Sequence, residues 1–181
     1  MFSLIQNIDL YILSFIQNHF HNTILNKVMI LFTKVGNLGI VWILLSIILF
    51  INKKYRNVGL LMISALLLGG ILGEVFLKNI VKRARPFTYL KMANLLISKP
   101  LSYSFPSGHT TASFAAVGIS MSKLKKYRFY ILTVAILIAF SRLYLMVHYP
   151  TDVLFGIILG LLSSKIVLES KLEKKFKKSS L

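Results

Sequence analysis

The chain has 181 residues, 56% of them hydrophobic, and a net charge of +17. That apolar share exceeds the roughly 45–50% of a soluble domain, so an ordinary water-soluble fold is excluded. The expected class is all-α: a polytopic membrane helix bundle with about six transmembrane helices. Its basic residues lie in short blocks between apolar runs, which is the pattern of membrane topology and argues against nucleic acid as a partner. There is no cysteine, which removes disulfides, thiol catalysis and thiolate metal sites.

Residues 2–20 are apolar but carry Gln6, Asn7, Asp9 and Gln17. They read either as a first transmembrane helix or as an amphipathic helix lying at the interface. The first basic residue is Lys27, so no charged leader region precedes this segment and it is expected to be retained. His19 and His21, at its end, read as solvated interfacial residues and not as ligands. Residues 23–35 alternate apolar and polar positions, as a short interfacial helix or a helix end. Gly36-Asn37-Leu38-Gly39 then breaks the helix.

Residues 38–52 form an apolar span, with Trp42 expected as an interface anchor near one edge. The basic loop Lys53-Lys54-Tyr55-Arg56 follows. Residues 57–77 are a second span, close to the about 20 residues that a bilayer needs. Its glycines suit close helix packing. Glu74 stands one helical turn before Lys78, where an ion pair would lower the cost of both charges. Residues 78–108 are the longest polar stretch, and Pro86, Pro100 and Pro106 prevent one continuous helix there. A helix of small apolar residues is predicted over 109–122, directly after Pro-Ser-Gly. Lys123, Lys125, Lys126 and Arg128 precede a span at 129–147. Pro150 is the expected first position of the last helix, which spans 152–168.

The charge blocks orient the chain. Lys53, Lys54 and Arg56, the block at 123–128 and the lysine-rich tail belong on the cytoplasmic side. With alternating spans, residues 78–108 and 142–152 then share the opposite face. Both termini are expected to be cytoplasmic if residues 2–20 span. The protein is therefore expected in the cell membrane, multi-pass.

The polar residues on that opposite face carry the chemistry. Lys78, Arg85 and Arg142 offer positive charge and N–H donors that match phosphate oxygens. Ser107 and Gly108 precede a helix, whose first amides and dipole favour an anion. His148 and Asp152, four residues apart, suit an imidazole with an orienting carboxylate. His109 opens another helix. One histidine could attack phosphorus and the other could protonate the leaving oxygen, and the spacing leaves open which does which. Zinc on His109, His148 and Asp152 is disfavoured by three cations nearby, so no metal or cofactor is expected.

Three motifs occur in order: Lys78-x6-Arg85-Pro86, then Pro106-Ser107-Gly108-His109, then Ser141-Arg142-x5-His148-x3-Asp152. Together they resemble the type 2 phosphatidic acid phosphatase family of membrane lipid phosphatases, whose pattern they match without a departure. The layout resembles its small bacterial six-helix members, although residues 1–35 carry no comparable pattern. The resemblance implies a metal-independent phosphatase acting on a lipid phosphate or diphosphate through a phosphohistidine. The candidate substrates are undecaprenyl diphosphate, phosphatidylglycerophosphate and phosphatidic acid. By the same resemblance His148 is the nucleophile, Asp152 its orienting partner and His109 the general acid. Lys78, Arg85, Ser107, Gly108 and Arg142 then bind the phosphate, at the outer face of the membrane.

The expected organisation is a single membrane-integral domain. It comprises N-terminal membrane or interfacial helices (1–36), a catalytic helical core (37–170) and a basic cytoplasmic tail (171–181). A lipid phosphotransferase would use the same residues. A transporter or non-catalytic anionic-lipid-binding protein would carry ionisable groups along the middle of its spans, which here are nearly free of them.

Overall fold

The computed structural model describes residues 2–90 and 95–170, and its regular elements are helices. The expected basic tail at 171–181 lies outside the described residues. Helix α1 (Phe2–Phe20) is followed by α2 (Thr23–Val35), whose first turn is capped by Asn22 accepting the Leu25 N–H at 2.9 Å. The predicted break at Gly36–Gly39 is a tight turn in which Leu38 (φ 51°) and Gly39 (φ 68°) are left-handed. It leads into α3 (Ile40–Ile51), at 45° to α2.

Helix α4 (Arg56–Gly70) continues through a π-helical segment (Ile71–Leu77) into α5 (Lys78–Val81), forming one rod. Pro86 starts the short α6 (Pro86–Tyr89). The last three helices are α7 (Gly108–Lys123), α8 (Arg128–Tyr144) and α9 (Pro150–Glu169), with Pro150 at the predicted first position. Among the described residues, two helical stretches are long and apolar enough to cross a membrane, Arg56–Tyr89 and Pro150–Glu169. The bent pair Thr23–Val35 and Asn37–Ile51 passes if taken together. Large apolar residues such as Tyr11, Ile48, Leu67 and Ile166 point outward, a surface that fits hydrocarbon and not water.

Helix α7 is the centre of the bundle and packs on α9, α4, α8 and α3. A helix surrounded in this way needs no polar face, and α7 buries Thr110, Ser113, Ala115, Ala116 and Ile119 on several sides. Its tightest neighbour is α9, because Gly160 lets the two backbones touch. A Cβ at Gly160 would lie 2.5 Å from the Thr111 carbonyl oxygen and 2.7 Å from the Ala115 nitrogen. This crossing fixes the start of α7, with His109, beside the start of α9, with Asp152.

Two expectations need correction. Trp42 is not an interface anchor. It is 2% exposed, and its Nε1 donates to Ser113 Oγ of α7 at 2.9 Å. A buried indole needs a partner for its N–H, and a polar residue on the central helix supplies one. His21 is not simply solvated either. Its ring stacks on Tyr144, and its Nε2 lies 3.0 Å from the Tyr144 carbonyl oxygen, tying the α1–α2 turn to α8. His19 is exposed and stacks on Phe15 of its own helix.

Candidate active site

The three motifs meet at one end of the bundle. Two chain reversals deliver them, and each passes through a non-glycine residue in the left-handed region: Lys82 (φ 48°) after α5, and Met146 (φ 57°) after α8. Such residues are costly and concentrate where a fold must aim side chains. The first reversal sends Arg83 one way and Arg85 another. The second turns His148 back beneath α8, with the Val147 and His148 amides donating to the Arg142 carbonyl at 3.2 and 3.3 Å.

Lys78, Arg85, Gly108, His109, Arg142 and His148 line one cavity of about 1180 Å³. Its polar end is formed by these residues, and its remainder is lined by apolar side chains of α2, α3 and α4, such as Ile30, Ile43 and Leu66. Lys78, Arg85, Arg142 and His148 are almost fully buried, so their charges and lone pairs face the cavity and not bulk water.

His148 is 1% exposed, and burial pushes its imidazole down to a pKa of about 3 against the ordinary 6.5; the Asp152 hydrogen bond opposes that shift and the Arg142 and Arg85 charges assist it. The ring is therefore neutral. Arg85 Nη1 approaches His148 Nε2 at 3.2 Å. A guanidinium can only donate, so Nε2 carries the lone pair and Nδ1 the proton. That N–H points at Asp152, whose Oδ2 is 3.5 Å away, with Ser104 Oγ also at 3.5 Å from Nδ1. Ser104 in turn donates to Asp152 Oδ2 at 2.5 Å, and the Tyr149 amide donates to the same oxygen at 2.9 Å. The tautomer with its proton on Nδ1 and its lone pair on Nε2 is thus the one held in place.

The cations are held differently. Arg85 is fixed by the carbonyls of Ser102, Tyr103 and Val147 at 2.7–3.2 Å and by Ser102 Oγ at 3.1 Å. Lys78 Nζ lies 2.8 Å from Glu74, so the expected ion pair forms. Arg142 donates through Nη1 to Thr33 Oγ1 of α2, while its buried Nε has no hydrogen-bond partner among the described residues. Gly108 opens α7 with space that the Glu74 carboxylate fills: a Cβ there would lie 2.1 Å from Glu74 Oε1. Among the described residues no group of three or more His, Cys, Asp or Glu is placed to hold a metal ion.

Ser107 stands apart from the other expected phosphate contacts. Its amide donates to the Asp152 carbonyl at 3.1 Å, and its Oγ pairs with Thr110 Oγ1 at 2.9 Å. It is fully buried behind the cavity wall, where it ties α7 to α9. Asp152 also lies behind the wall. Four residues that sequence reasoning passed over belong to the site: Thr33, Ser104, Arg83 and Asp9. Arg83 donates to Asp152 Oδ1 at 2.7 Å and to Asp9 Oδ2 at 2.7 Å. The hint in the sequence was Asp9, the single carboxylate in the largely apolar segment 2–20.

Residues 58–175 match the model of the PAP2 superfamily, which takes in all three motifs. An undecaprenyl-diphosphatase of Sulfolobus acidocaldarius is 35% identical over 75% of this chain and 66% of its own length. Phosphatidylglycerophosphatase B of Bacillus subtilis is 36% identical over 76% of this chain and 71% of its own. The crystal structure of Aquifex aeolicus LpxE superposes with a TM-score of 0.77 at 31% identity, covering 89% of this chain and 94% of that one. A phosphatidylglycerolphosphate phosphatase from Bacillus subtilis gives 0.74 at 29% identity, over 97% and 87%. Family, fold and motif geometry agree, and the chain belongs to the PAP2 superfamily as a membrane phosphatase.

Proposed function

We propose that the protein removes phosphate from a lipid phosphate or diphosphate through a phosphohistidine on His148. The observation that carries this reading is the buried Arg142 Nε, without a hydrogen-bond partner among the described residues, in a cavity wall that also holds Lys78, Arg85 and the unprotonated Nε2 of His148. A phosphoryl oxygen would satisfy that N–H, and the cations would meet the charge that develops in the transition state. The apolar remainder of the cavity suits a lipid chain, which makes undecaprenyl diphosphate, phosphatidylglycerophosphate and phosphatidic acid the candidate substrates.

In the first step His148 Nε2 attacks phosphorus. An N–P bond forms, the P–O bond to the lipid breaks, and His109 gives its proton to the departing oxygen. Asp152 holds Nδ1–H and balances the charge on the ring. In the second step water gives a proton to His109 and attacks phosphorus, the N–P bond breaks, and phosphate leaves. Lys78, Arg85, Arg142 and the first amides of α7 from Gly108 onward bind the phosphate, and Ser107 holds that helix start in place. The cations do the work that metals do elsewhere, so the reaction should need none.

The basic blocks support six spans, α1, α3, α4, α7, α8 and α9, with both termini cytoplasmic and the site at the outer face. The chain then forms one domain, with its helical core over 37–170. The test is phosphate release by the purified protein in EDTA from a panel of diphosphate and monophosphate lipids. His148→Ala should abolish both turnover and acid-labile phosphate labelling of the protein. Turnover by His148→Ala near the parental rate would overturn the mechanism. Transfer of label to a second lipid in place of water would mark a phosphotransferase.

A further inference from the structure

Arg83 belongs to the first motif region but does not line the cavity. Its guanidinium lies between two buried carboxylates, Asp9 (1% exposed) and Asp152 (0% exposed). Nη1 donates to Asp152 Oδ1 at 2.7 Å and to Thr151 Oγ1 at 2.7 Å, and Nη2 donates to Asp9 Oδ2 at 2.7 Å. Thr151 closes the circuit, donating to Asp9 through its amide at 3.0 Å and through its hydroxyl at 2.6 Å. The face of Tyr149 lies against the guanidinium, 3.8 Å from ring centroid to Cζ. Helix α1, the rod's end and the start of α9 are thereby joined through one cation.

Two carboxylates and one guanidinium leave one negative charge in this buried group. If Arg83 faced Asp152 alone, it would neutralise the carboxylate on which the His148 ring depends. Asp9 shares Arg83, so Asp152 keeps charge to offset the imidazolium that forms when Nε2 bonds to phosphorus. Without Arg83, two buried carboxylates would both lose the cation that pairs with them.

We propose that Asp9 and Arg83 are positioning residues that act through Asp152, so that helix α1 sets the charge available to His148. This inference rests on the reading of His148 as the nucleophile. It predicts that Asp9→Asn and Arg83→Gln lower kcat by about tenfold or more while KM changes little, since neither residue touches the phosphate.

The decisive experiment is a double-mutant cycle on the purified full-length chain, with phosphate release from a short-chain phosphatidic acid in EDTA. Arg83→Gln should cost little in an Asp152→Asn background, and Asp9→Asn should cost little in an Arg83→Gln background. Independent, multiplying losses overturn the proposal, as does unchanged kcat in the single variants. A rise in KM with kcat preserved also overturns it, because Arg83 would then be a substrate contact. If Arg83→Gln does not yield folded protein, the near-isosteric Asp9→Asn, crossed with Asp152→Asn, carries the same test. Phosphate labelling of His148 in the parent separates the outcomes: with labelling absent the underlying mechanism fails, and with labelling present but losses multiplying only the relay fails.

Discussion

Glu74 and Lys78 face each other one turn apart on the rod, with a carboxylate oxygen 2.8 Å from Nζ. The same carboxylate rests on the start of α7, at Gly108. An anion thus lies beside a buried ammonium and against the first residue of a helix, the kind of position that suits a phosphate oxygen. Glu74 lies within the π-helical segment, and Lys78 directly follows it.

If phosphate binds as proposed, it would compete with this resident anion, which would favour its release. Glu74→Gln is expected to tighten inhibition by inorganic phosphate by about fivefold, the scale of a partly exposed ion pair. The measurement is the phosphate inhibition constant of parent and variant in the same release assay. Weaker inhibition in the variant would show that Glu74 helps to hold phosphate.

Arg142 should be the least replaceable of the cations. Its buried Nε has no hydrogen-bond partner among the described residues, and Thr33 holds Nη1, so the planar fork is fixed toward the cavity. Lysine has one point charge and no fork. Arg142→Lys is expected to lower kcat/KM by about 10²–10³, the usual cost of one preorganised donor. Thr33→Val should give a smaller loss, and Thr33→Ser should restore most of it. Equal kcat/KM for Thr33→Val and the parent would remove Thr33 from the site's support.

The motif residues that line the cavity, Lys78, Arg85, Gly108, His109, Arg142 and His148, were legible because their spacing along the chain states their chemistry. Their supports were not. Arg83 reaches Asp9 across 74 positions, and Arg142 reaches Thr33 across 109. No local periodicity encodes such pairs, because packing of whole helices creates them. Trp42 misled for a related reason. Its place near the edge of an apolar run fits an anchor, but the run does not say which side faces α7. Ser107 was named from its motif position, while its amide is already committed to Asp152. The helix starts at Gly108 and Pro150 and the break at Gly36–Gly39 were local signals, and those were readable.

His148 predicts how stability depends on pH. Its folded pKa, about 3, lies below the ordinary 6.5 because the ring is buried. In the unfolded chain it takes up a proton near pH 6.5, and in the folded chain it does not. Acid therefore favours unfolding, so this contribution is fully present above about pH 6.5 and is lost as the pH falls toward about 3. The thermal midpoint in detergent should drop between pH 7 and 4.5. It should drop less in His148→Asn, which lacks the group. Parallel curves for the two proteins would mean that His148 is not held neutral.

The crossing of α7 and α9 predicts a substitution the bundle cannot absorb. At Gly160 a Cβ meets backbone atoms of Thr111 and Ala115 at 2.5 and 2.7 Å, and backbone of a central helix cannot step aside. The helices would have to part, and with them the starts that carry His109 and Asp152. Gly160→Val is expected to cost about 1–3 kcal/mol in stability, the range of overpacked cores. Gly70 supplies the contrast: nothing lies within 4 Å of a Cβ there, and the position is helical. Gly70→Ala should leave stability unchanged or raise it by up to about 1 kcal/mol, from helix propensity. Thermal unfolding in one detergent, followed by circular dichroism, compares the two. A midpoint for Gly160→Val equal to that for Gly70→Ala would mean that the two helices do not touch there.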